Sequence, residues 1–569
     1  MSLVPVSRIA VILALGSACT ASDSGSDASG DTDVVESAGC EGVCTPKSLV
    51  IALDGMRPDA LVAGDTPNFK SLIEGSWAPG YKGSWAPDAL VVPDGDSYSG
   101  PNHAAIEAGA TVSQLNVSSN DSFIIANGNW QEYPPYLARL EQDDATRNTA
   151  FAVSWSGDLL MHPGSDYVAR ALESETTRRI VSMLTGDGEN IVGEQNTVWV
   201  GGTDPDAIFL FFDFTDGLGH SFGFDLNVPE YVGGAELSDD YLGQILDAIR
   251  GRSAFADENW QIMVTADHGG YHTGHSGRTA PMQTIPFILS SRDVKPGILP
   301  DGVYSLDVTP TVMDHFGLAP DDRLTGHIRG GEVQPEPPSD ITDGLVAYYP
   351  FDGDTKDASG NGRDATIGGG SPAVAASGGV LGGKVTFAGN DPCYLSLPTS
   401  DELDFLDGED FTIAFWMRAN GDPDGDPVIV GNKDWSNGGN PGFATTARKG
   451  SDTSIESNYA SGSSGRLDVE AIDYPAGAWR LVVQVFKDNG SARTYVGHPD
   501  GKLEWMSLED SRVGSLHTDM PINVGQDGTG SYPFQFNGDV DELAIWDRAL
   551  GHEEIYKLLA DGAGLALKP

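Results

Sequence analysis

The stretch LVIALDGMRPD, residues 49–59, indicates the fold class of the first half of the chain. Its first five residues form a continuous apolar run, as expected of a strand that is covered on both faces. Two later runs, IFLFF at 208–212 and QIMVT at 261–265, are also apolar or nearly so, and helix-like segments lie between the three runs. The sequence therefore predicts an α/β domain with a largely parallel sheet and helices on both faces.

Metal-capable side chains follow each of these three predicted strands. The set comprises Asp54, Asp213, Asp216, His220, Asp267, His268 and His275. Because the carboxyl ends of parallel strands share the edge of a sheet where ligands bind, we expect these side chains to converge. Asp216 and His220 are four residues apart, so one helical turn would place both on one face. Carboxylate and imidazole groups without a nearby thiolate favour zinc, with manganese or another divalent ion as the alternative.

Ser99 is placed to act as a nucleophile. The segment SGPNHAAI, residues 99–106, has Pro101 at a position typical of a first helical turn, so Ser99 and Gly100 would begin a helix. The unpaired amides and the helix dipole there favour an anion, either an alkoxide or a phosphoryl oxygen. A serine at this position can also serve only as a helix cap, and that alternative stays open.

Five ordered blocks within residues 46–330 resemble the alkaline phosphatase superfamily, and most closely its type I phosphodiesterase/nucleotide pyrophosphatase branch. The blocks are LVIALDGMRPD (49–59), SGPNH (99–103), DGLGHSFG (216–223), ADHGGYHTGH (266–275) and LDVTPTVMDHFG (306–317). The last block also has the pattern of a helix that closes the domain and ends at Gly317.

The resemblance implies two divalent metal ions, with zinc as the preferred element. One ion would be held by Asp216, His220 and His275, and the other by Asp54, Asp267, His268 and Ser99. Ser99 would attack phosphorus to give a covalent phosphoserine intermediate, which water would then hydrolyse. Asn120 would hydrogen-bond a phosphoryl oxygen. Asn102 and His103 match the family block as residues that would support the ligands, and the additional His272 would have the same role.

Departures from the family pattern leave the substrate open. The diesterase branch commonly has Thr where this chain has Ser99, whereas Ser is usual among phosphomonoesterases. The usual His-Gly after the nucleophile helix is replaced by Leu115 and Asn116. The resemblance thus implies a hydrolase of phosphate esters, phosphodiesterase-like, with a phosphomonoesterase as the alternative. A sulfatase is not expected, because His103 occupies the place of an arginine in that branch.

A third hypothesis belongs to another class, a surface-binding or adhesion protein with an inactive hydrolase domain. It predicts losses among the metal ligands. Every ligand of the family pattern is present in this sequence, which favours an active enzyme.

The chain changes character after a Pro- and Gly-rich linker at 331–342. Residues 411–418, FTIAFWMR, alternate with a period of two, and Gly- and Asp-rich turns separate short strands, which predicts an all-β sandwich. Residues 343–362, 411–418 and 538–559 resemble the laminin-G-like jelly roll of the concanavalin A-like group. This resemblance, for residues 343–569, implies a glycan or surface-polymer ligand and a calcium ion, with Asp357 and Asp541 as its candidate ligands. The alternative is that both are ordinary turn aspartates.

Residues 1–19 have the features of an export signal. Arg8 precedes an apolar stretch at 9–15 that is too short to span a bilayer, and small residues stand directly before Cys19. This ending resembles the processing site of a bacterial lipoprotein, which implies a lipid on Cys19 and attachment to a membrane; cleavage and secretion is the alternative. Residues 20–45 form an acidic Ser-, Asp- and Gly-rich tether. We therefore expect an exported protein, located at the cell envelope or outside the cell.

The net charge indicates which partners the protein can bind, and the cysteines indicate the redox state of its compartment. The 569-residue chain has 83 acidic and 33 basic residues, a net charge of −50, and this negative field opposes binding to a nucleic-acid backbone. Cys40 and Cys44 are close enough for a local disulfide in an oxidising compartment, a metal-binding pair being the alternative. Cys393 is predicted to be a buried free thiol.

Overall fold

The computed structural model describes residues 44–161, 165–186, 191–192, 198–199, 204–319, 321–389, 392–404, 409–449, 453–472 and 474–567. The predicted export signal with Cys19, the tether up to residue 43, and Cys40 lie outside these ranges. Cys44 is disulfide-bonded. Cys393 is buried and free, as predicted. Within the described ranges, no helix has the length and apolar character needed to cross a membrane.

The first domain is built on one eight-stranded sheet. Its strands are β1 (Thr45–Leu53), β2 (Lys82–Leu90), β3 (Thr149–Val153), β4 (Tyr167–Arg170), β7 (Ala207–Phe212), β8 (Glu258–Ala266), β9 (Thr284–Ser291) and β10 (Gly297–Ile298), while β5 (Ile191–Val192) and β6 (Val198–Trp199) form a separate antiparallel pair. The strand order is β10-β2-β9-β8-β1-β7-β3-β4. Strand β9 is antiparallel to both neighbours, and the other pairs are parallel. The largely parallel α/β fold predicted from the sequence is confirmed.

Helices and short helical turns connect these strands. The helices are α1 (Pro58–Ala63), α2 (Pro67–Glu74), α3 (Ser99–Ala108), α4 (Val112–Leu115), α5 (Ser122–Ala126), α6 (Tyr136–Asp143), α7 (Glu173–Thr185), α8 (Phe214–Phe222), α9 (Pro229–Arg250), α10 (Ala280–Gln283) and α11 (Val308–His315). Every residue of β7 and β8 is buried, which is the environment that the apolar runs within these strands predict. The closing helix α11 follows a 3₁₀ turn at Ser305–Asp307 and is terminated by Gly317, whose φ is 74°.

The second domain is an antiparallel sandwich of two sheets. Its elements are β11 (Leu345–Tyr349), β12 (Thr366–Gly369), β13 (Ala373–Ala375), β14 (Lys384–Ala388), β15 (Tyr394–Ser396), β16 (Phe411–Ala419), β17 (Val428–Gly431), β18 (Gly442–Lys449), β19 (Thr453–Gly462), β20 (Gly465–Ile472), β21 (Arg480–Phe486), β22 (Ser491–Gly497), β23 (Leu503–Glu509), β24 (Asn523–Val524), β25 (Asn537–Trp546) and helix α12 (His552–Leu559). One sheet has the order β13-β14-β25-β16-β21-β22-β23 with β11 on β25, and the other the order β12-β15-β24-β17-β18-β19-β20. The predicted jelly-roll class is confirmed.

The sandwich packs directly on the α/β domain. Tyr495, Trp505 and Ile555 of the sandwich belong to the same buried apolar cluster as strand β1. The Trp505 indole Nε1 donates a hydrogen bond of 2.6 Å to the carbonyl of Pro87. The two domains therefore share a hydrophobic core, and the sandwich is not a separately tethered module.

Candidate metal centre

Three neighbouring strands of the α/β sheet end at the same level. In the register of the sheet, Leu53 at the end of β1 pairs with Phe212 at the end of β7 and with Ala266 at the end of β8. The residues that follow these strands therefore meet at one edge, as the sequence predicts for an open parallel sheet.

The first set of side chains at this edge is Asp54, Asp267 and His268, here called the buried group. One ligand atom from each lies within 4.8 Å of the others, and all three residues are buried. His268 Nε2 is 3.2 Å from Asp54 Oδ1 and 3.2 Å from Asp267 Oδ2. Ser99 Oγ, at the N-terminus of α3, lies 3.3 Å from the same Nε2. The structure thus brings the predicted nucleophile to the ligand set that the family resemblance implies for it.

The second set is Asp216, His220 and His275, here called the open group. Its ligand atoms also lie within 4.8 Å of one another, but the group is less enclosed. Asp216 and His220 are one turn apart on α8, as predicted, and His220 Nε2 is 3.3 Å from Asp216 Oδ2. His275 Nε2 is 3.6 Å from Asp216 Oδ1. The rings of His268 and His275 stack at 3.7 Å between centroids, so the two groups are adjacent.

All three candidate histidine ligands have the same orientation. The Nδ1 atoms of His220, His268 and His275 donate to the backbone carbonyls of Thr273, Gly269 and Ser97, at 2.8, 2.8 and 2.7 Å. In a neutral imidazole this leaves the Nε2 lone pair facing the carboxylates. A lone pair 3.2–3.6 Å from carboxylate oxygens is repulsive unless a cation lies between them.

The carboxylates indicate the same requirement for a cation. Asp54 Oδ1 and Asp216 Oδ1 are buried without a hydrogen-bond partner in the described part of the chain. Burial, with the charges of Asp267 and Asp216, raises the pKa of Asp54 well above its usual range. The residues therefore fit a divalent metal ion, which would offset this repulsion. The buried group in particular is consistent with a metal site, whose element the side chains do not specify.

His103 supports the buried group from behind. Its Nε2 donates to Asp267 Oδ2 at 3.1 Å and its Nδ1 to Asp158 Oδ1 at 2.5 Å, and all three side chains are fully buried. Burial acts most strongly and lowers the pKa of His103, but Asp158 and Asp267 outweigh it, and the pKa is raised well above its usual range. The sequence indicates His103 through its family block but gives no signal for Asp158, which lies in a 3₁₀ turn with no motif around it.

Other predicted residues lie near the two groups without joining them. Asn120 Oδ1 accepts a 2.7 Å hydrogen bond from the amide of Gly100, next to Ser99. Asp213 forms part of neither group; burial and a hydrogen bond with Glu173 raise the pKa of Asp213 to about 7. Glu173, at the start of α7, carried no sequence signal. Asn102 accepts from the amide of Val92 and therefore braces a loop.

The two candidate calcium ligands of the sandwich, Asp357 and Asp541, accept hydrogen bonds from backbone amides. Asp357 accepts from the amides of Tyr348, Ser359 and Arg363 at 2.9–3.1 Å. Asp541 Oδ2 accepts from the amides of Val380 and Leu381. Neither aspartate belongs to a cluster of three metal-capable side chains within the described ranges. Calcium binding at Asp357 and Asp541 stays a prediction.

Comparison with protein families finds one match within each domain. Residues 48–285 match the family described as type I phosphodiesterase / nucleotide pyrophosphatase. Residues 389–556 match the concanavalin A-like lectin/glucanases superfamily.

Individual relatives are more distant. A phosphopentomutase from Pectobacterium carotovorum is 28% identical over 117 residues, which cover 21% of this chain and 26% of that protein. A 2,3-bisphosphoglycerate-independent phosphoglycerate mutase from Clostridium novyi is 28% identical over 127 residues, which cover 21% of this chain and 23% of that protein. The chain thus spans about a quarter of the length of the curated relatives it matches.

Similar solved structures exist for each domain. Murine ectonucleotide pyrophosphatase / phosphodiesterase 5 aligns with a TM-score of 0.34 at 15% identity, over 48% of this chain and 95% of that one. Domain 4 of an extracellular arabinanase from Geobacillus stearothermophilus, solved in complex with arabinotriose, aligns with a TM-score of 0.29 at 24% identity, over 37% of this chain and 97% of that one.

Proposed function

We propose that this chain, which combines a type I phosphodiesterase/nucleotide pyrophosphatase domain of the alkaline phosphatase superfamily with a C-terminal concanavalin A-like laminin-G domain, hydrolyses phosphodiesters through a covalent intermediate on Ser99. The observation that carries the proposal is the position of Ser99 Oγ, 3.3 Å from His268 Nε2 in the buried group and at the N-terminus of helix α3.

The two groups would each hold one divalent ion, for which zinc is the best candidate. Asp54, Asp267, His268 and Ser99 would bind one ion, and Asp216, His220 and His275 the other. Bound ions of this kind lower the pKa of a coordinated hydroxyl and polarise phosphoryl oxygens.

The chain's own residues would carry the covalent steps. Ser99 Oγ forms a bond to phosphorus and the bond from phosphorus to the leaving alcohol breaks, so that the enzyme carries a phosphoester on Ser99. Water then cleaves the bond from phosphorus to Ser99 and regenerates the hydroxyl. The Gly100 amide fixes the Oδ1 atom of Asn120, and the side-chain NH₂ group of Asn120 would donate a hydrogen bond to a phosphoryl oxygen. Loss of such a donor costs about 2.7–4 kcal/mol of transition-state stabilisation.

The family match favours a diester over the alternative, a phosphomonoester, because the family that residues 48–285 match is described as type I phosphodiesterase / nucleotide pyrophosphatase. The serine at position 99 is the feature that supports the monoesterase alternative.

An assay of the purified chain with zinc, using bis-p-nitrophenyl phosphate and p-nitrophenyl phosphate, tests the proposal. We expect faster hydrolysis of the diester and a loss of at least about 10³-fold in Ser99→Ala. Equal rates in the wild type and Ser99→Ala would eliminate Ser99 as nucleophile. Faster hydrolysis of the monoester would support the alternative substrate, and no hydrolysis of either would support a binding protein with an inactive domain.

The proposal extends to location and to the second domain. The features of residues 1–19 and the disulfide at Cys44 support export, with a lipid anchor on Cys19 or release from the cell. The concanavalin A-like match supports a glycan or surface polymer as the ligand of the sandwich. Mass spectrometry of the mature N-terminus would distinguish a lipidated Cys19 from an unmodified chain.

A further inference from the structure

Strand β23 of the sandwich contacts the segments that carry the metal-ligand candidates. The first contact is made by Glu504, whose Oε2 lies 3.6 Å from Arg57 Nη2 in the α/β domain. Arg57 also forms a two-pronged hydrogen bond with Asp59, at 3.0 and 2.5 Å. The side chains of Arg57, Asp59 and Glu504 are all fully buried. Asp59 fixes the orientation of the Arg57 guanidinium through two hydrogen bonds, and Glu504 adds a second buried negative charge beside it.

Arg57 connects Glu504 to the open group through Phe224. Arg57 Nη1 donates a 2.7 Å hydrogen bond to the carbonyl of Phe224, and the Phe224 amide donates to the carbonyl of His272 at 2.7 Å. The Phe224 ring packs edge-on against the rings of His220 and His275, at 5.8 and 6.5 Å between centroids. Phe224 therefore forms the floor beneath two of the three ligands of the open group.

The Phe224 ring is closely packed against two glycines, so the ring has little room to move. A Cβ atom at Gly55 would lie 2.9 Å from the Phe224 ring, and one at Gly270 would lie 2.2 Å from it. Gly55 follows Asp54, and Gly270 lies two residues after His268. The backbone of the buried group therefore closes one side of the Phe224 ring, and any change in the position of the ring is taken up on the side of His220 and His275.

A second contact of β23 supports the loop after His268. Thr284 Oγ1 donates to the carbonyl of Ser507 at 3.0 Å and accepts from the Ser507 amide at 2.9 Å. Helix α10, which ends at the residue before Thr284, accepts hydrogen bonds from the amides of Gly269 and Gly270 at 2.9 Å each. The sandwich thus supports the ligand-bearing segments at two separate points.

We propose that the sandwich domain is a positioning part of the metal centre: Glu504, acting through Arg57 and Phe224, holds the open group in its ligating geometry and thereby sets the affinity of that group for its divalent ion. The inference rests on the proposed function only in that a metal is bound; it does not depend on the identity of the substrate. Glu504 touches no reacting atom, and its effect is transmitted through another residue.

Zinc titration of the full chain, in competition with a chromophoric chelator, tests this inference without an activity readout. We expect Glu504→Gln to weaken one of two zinc equivalents by about 10–100-fold, the range typical of residues that orient ligands, and to leave the other unchanged. Glu504→Asp, which retains the charge, should recover part of the lost affinity.

The matched control is another charge at the same interface. Lys487 of the sandwich pairs with Asp301 of the α/β domain, and among the described residues no hydrogen bond or ion pair links either of them to a metal-ligand candidate. Lys487→Gln should lower the thermal unfolding temperature, as Glu504→Gln does, while both zinc affinities stay within about twofold of the wild type. This separates a positioning role from simple docking, because docking alone would make the two variants behave alike.

Two outcomes would overturn the inference. If Glu504→Gln binds both zinc equivalents as tightly as the wild type, the contact serves only to dock the domains. If Glu504→Gln does not fold, Glu504→Asp replaces it, and wild-type affinity at both sites in that variant together with a lowered unfolding temperature contradicts the proposal equally. A wild type that binds two ions but hydrolyses no phosphoester would overturn the proposed function alone.

Discussion

The buried and the open group lie side by side at one sheet edge but are held in different ways. The side chains of Asp267 and His268 are fully buried, and Asp267 is fixed by His103 from within the same domain. In the open group, the side chain of His220 is 45% exposed, and that of His275 is 11% exposed. The open group depends on loop carbonyls, on Phe224 and, through Arg57, on the second domain. One pair of adjacent sites can therefore combine a rigid position with an adjustable one.

The largest expected effect comes from a ligand of the buried group. Asp54→Ala should remove one zinc equivalent and lower hydrolysis by more than about 100-fold, since residues that only orient ligands already cost about 10–100-fold. Because Asp54 is enclosed, water cannot replace its carboxylate, and excess zinc should not restore activity. Metal analysis and diesterase rates measured across a zinc series check this.

Removal of a ligand from the open group should lower activity in a way that excess zinc can reverse. His220→Ala should lower activity by about 10–100-fold at stoichiometric zinc. Water can fill the vacated position at this exposed site, so excess zinc should restore much of the rate. Equal responses of Asp54→Ala and His220→Ala to added zinc would contradict the distinction between the two groups.

A smaller effect should follow from removing the support behind the buried group. Asp158→Asn removes one of the two carboxylates that hold the His103 ring and so loosens Asp267, and the zinc affinity of the buried group should fall by about 10-fold. The affinity of the open group should not change, because its histidines bind backbone carbonyls instead. A two-site zinc titration measures both, and a loss confined to the open group would contradict this account.

The effect that is smallest at neutral pH concerns folding stability and the interface between the two domains. His552 of the sandwich is enclosed by the rings of Trp85, Trp505, Tyr495 and Tyr556. Burial, together with the charge of Arg493, lowers the pKa of His552 to about 3. Below the ordinary pKa of about 6.5, the unfolded chain gains a proton at His552 that the folded chain does not, so folding stability falls as pH decreases from 6.5 towards 3.

The contribution of His552 is isolated by comparison with His552→Phe. The difference in unfolding free energy between wild type and variant should change by up to about 1.4 kcal/mol per pH unit in this window and stay constant above it. Urea unfolding at a series of pH values measures the difference. A difference that does not vary with pH between 6.5 and 4 would show that His552 is not buried in its neutral form.

Much of the site follows from local sequence, because the ligands come directly after strands whose apolar runs are unambiguous. The residues that lie behind the ligands and hold them in place could not be predicted in the same way. Asp158 contacts His103 from a short turn, and Glu173 contacts Asp213 from the start of a helix; neither position carries a periodic signal. The alternation of β16 predicted a sandwich, yet Ala414 and Trp416 on its second face are also buried, in the core shared with the first domain. A period of two shows that a strand has two faces, but it does not show what covers the second one.

The ion pair between Glu504 and Arg57 could not be predicted from the sequence either. It depends on how two domains pack, and neither residue type nor spacing indicates a partner in another domain. Arg57 does lie in the block that resembles the family, but its hydrogen bonds to Asp59 alone would have explained a buried arginine there.

The central claim is that Ser99 becomes covalently attached to phosphorus, and rapid-quench mass spectrometry tests it most directly. Zinc-loaded protein mixed with bis-p-nitrophenyl phosphate and quenched in acid within its first turnover should carry a p-nitrophenylphosphoryl group on the peptide that contains Ser99. The adduct should be absent from Ser99→Ala and from protein stripped of metal. Hydrolysis that proceeds at the wild-type rate with no adduct on Ser99, or with an adduct on another residue, would contradict the account.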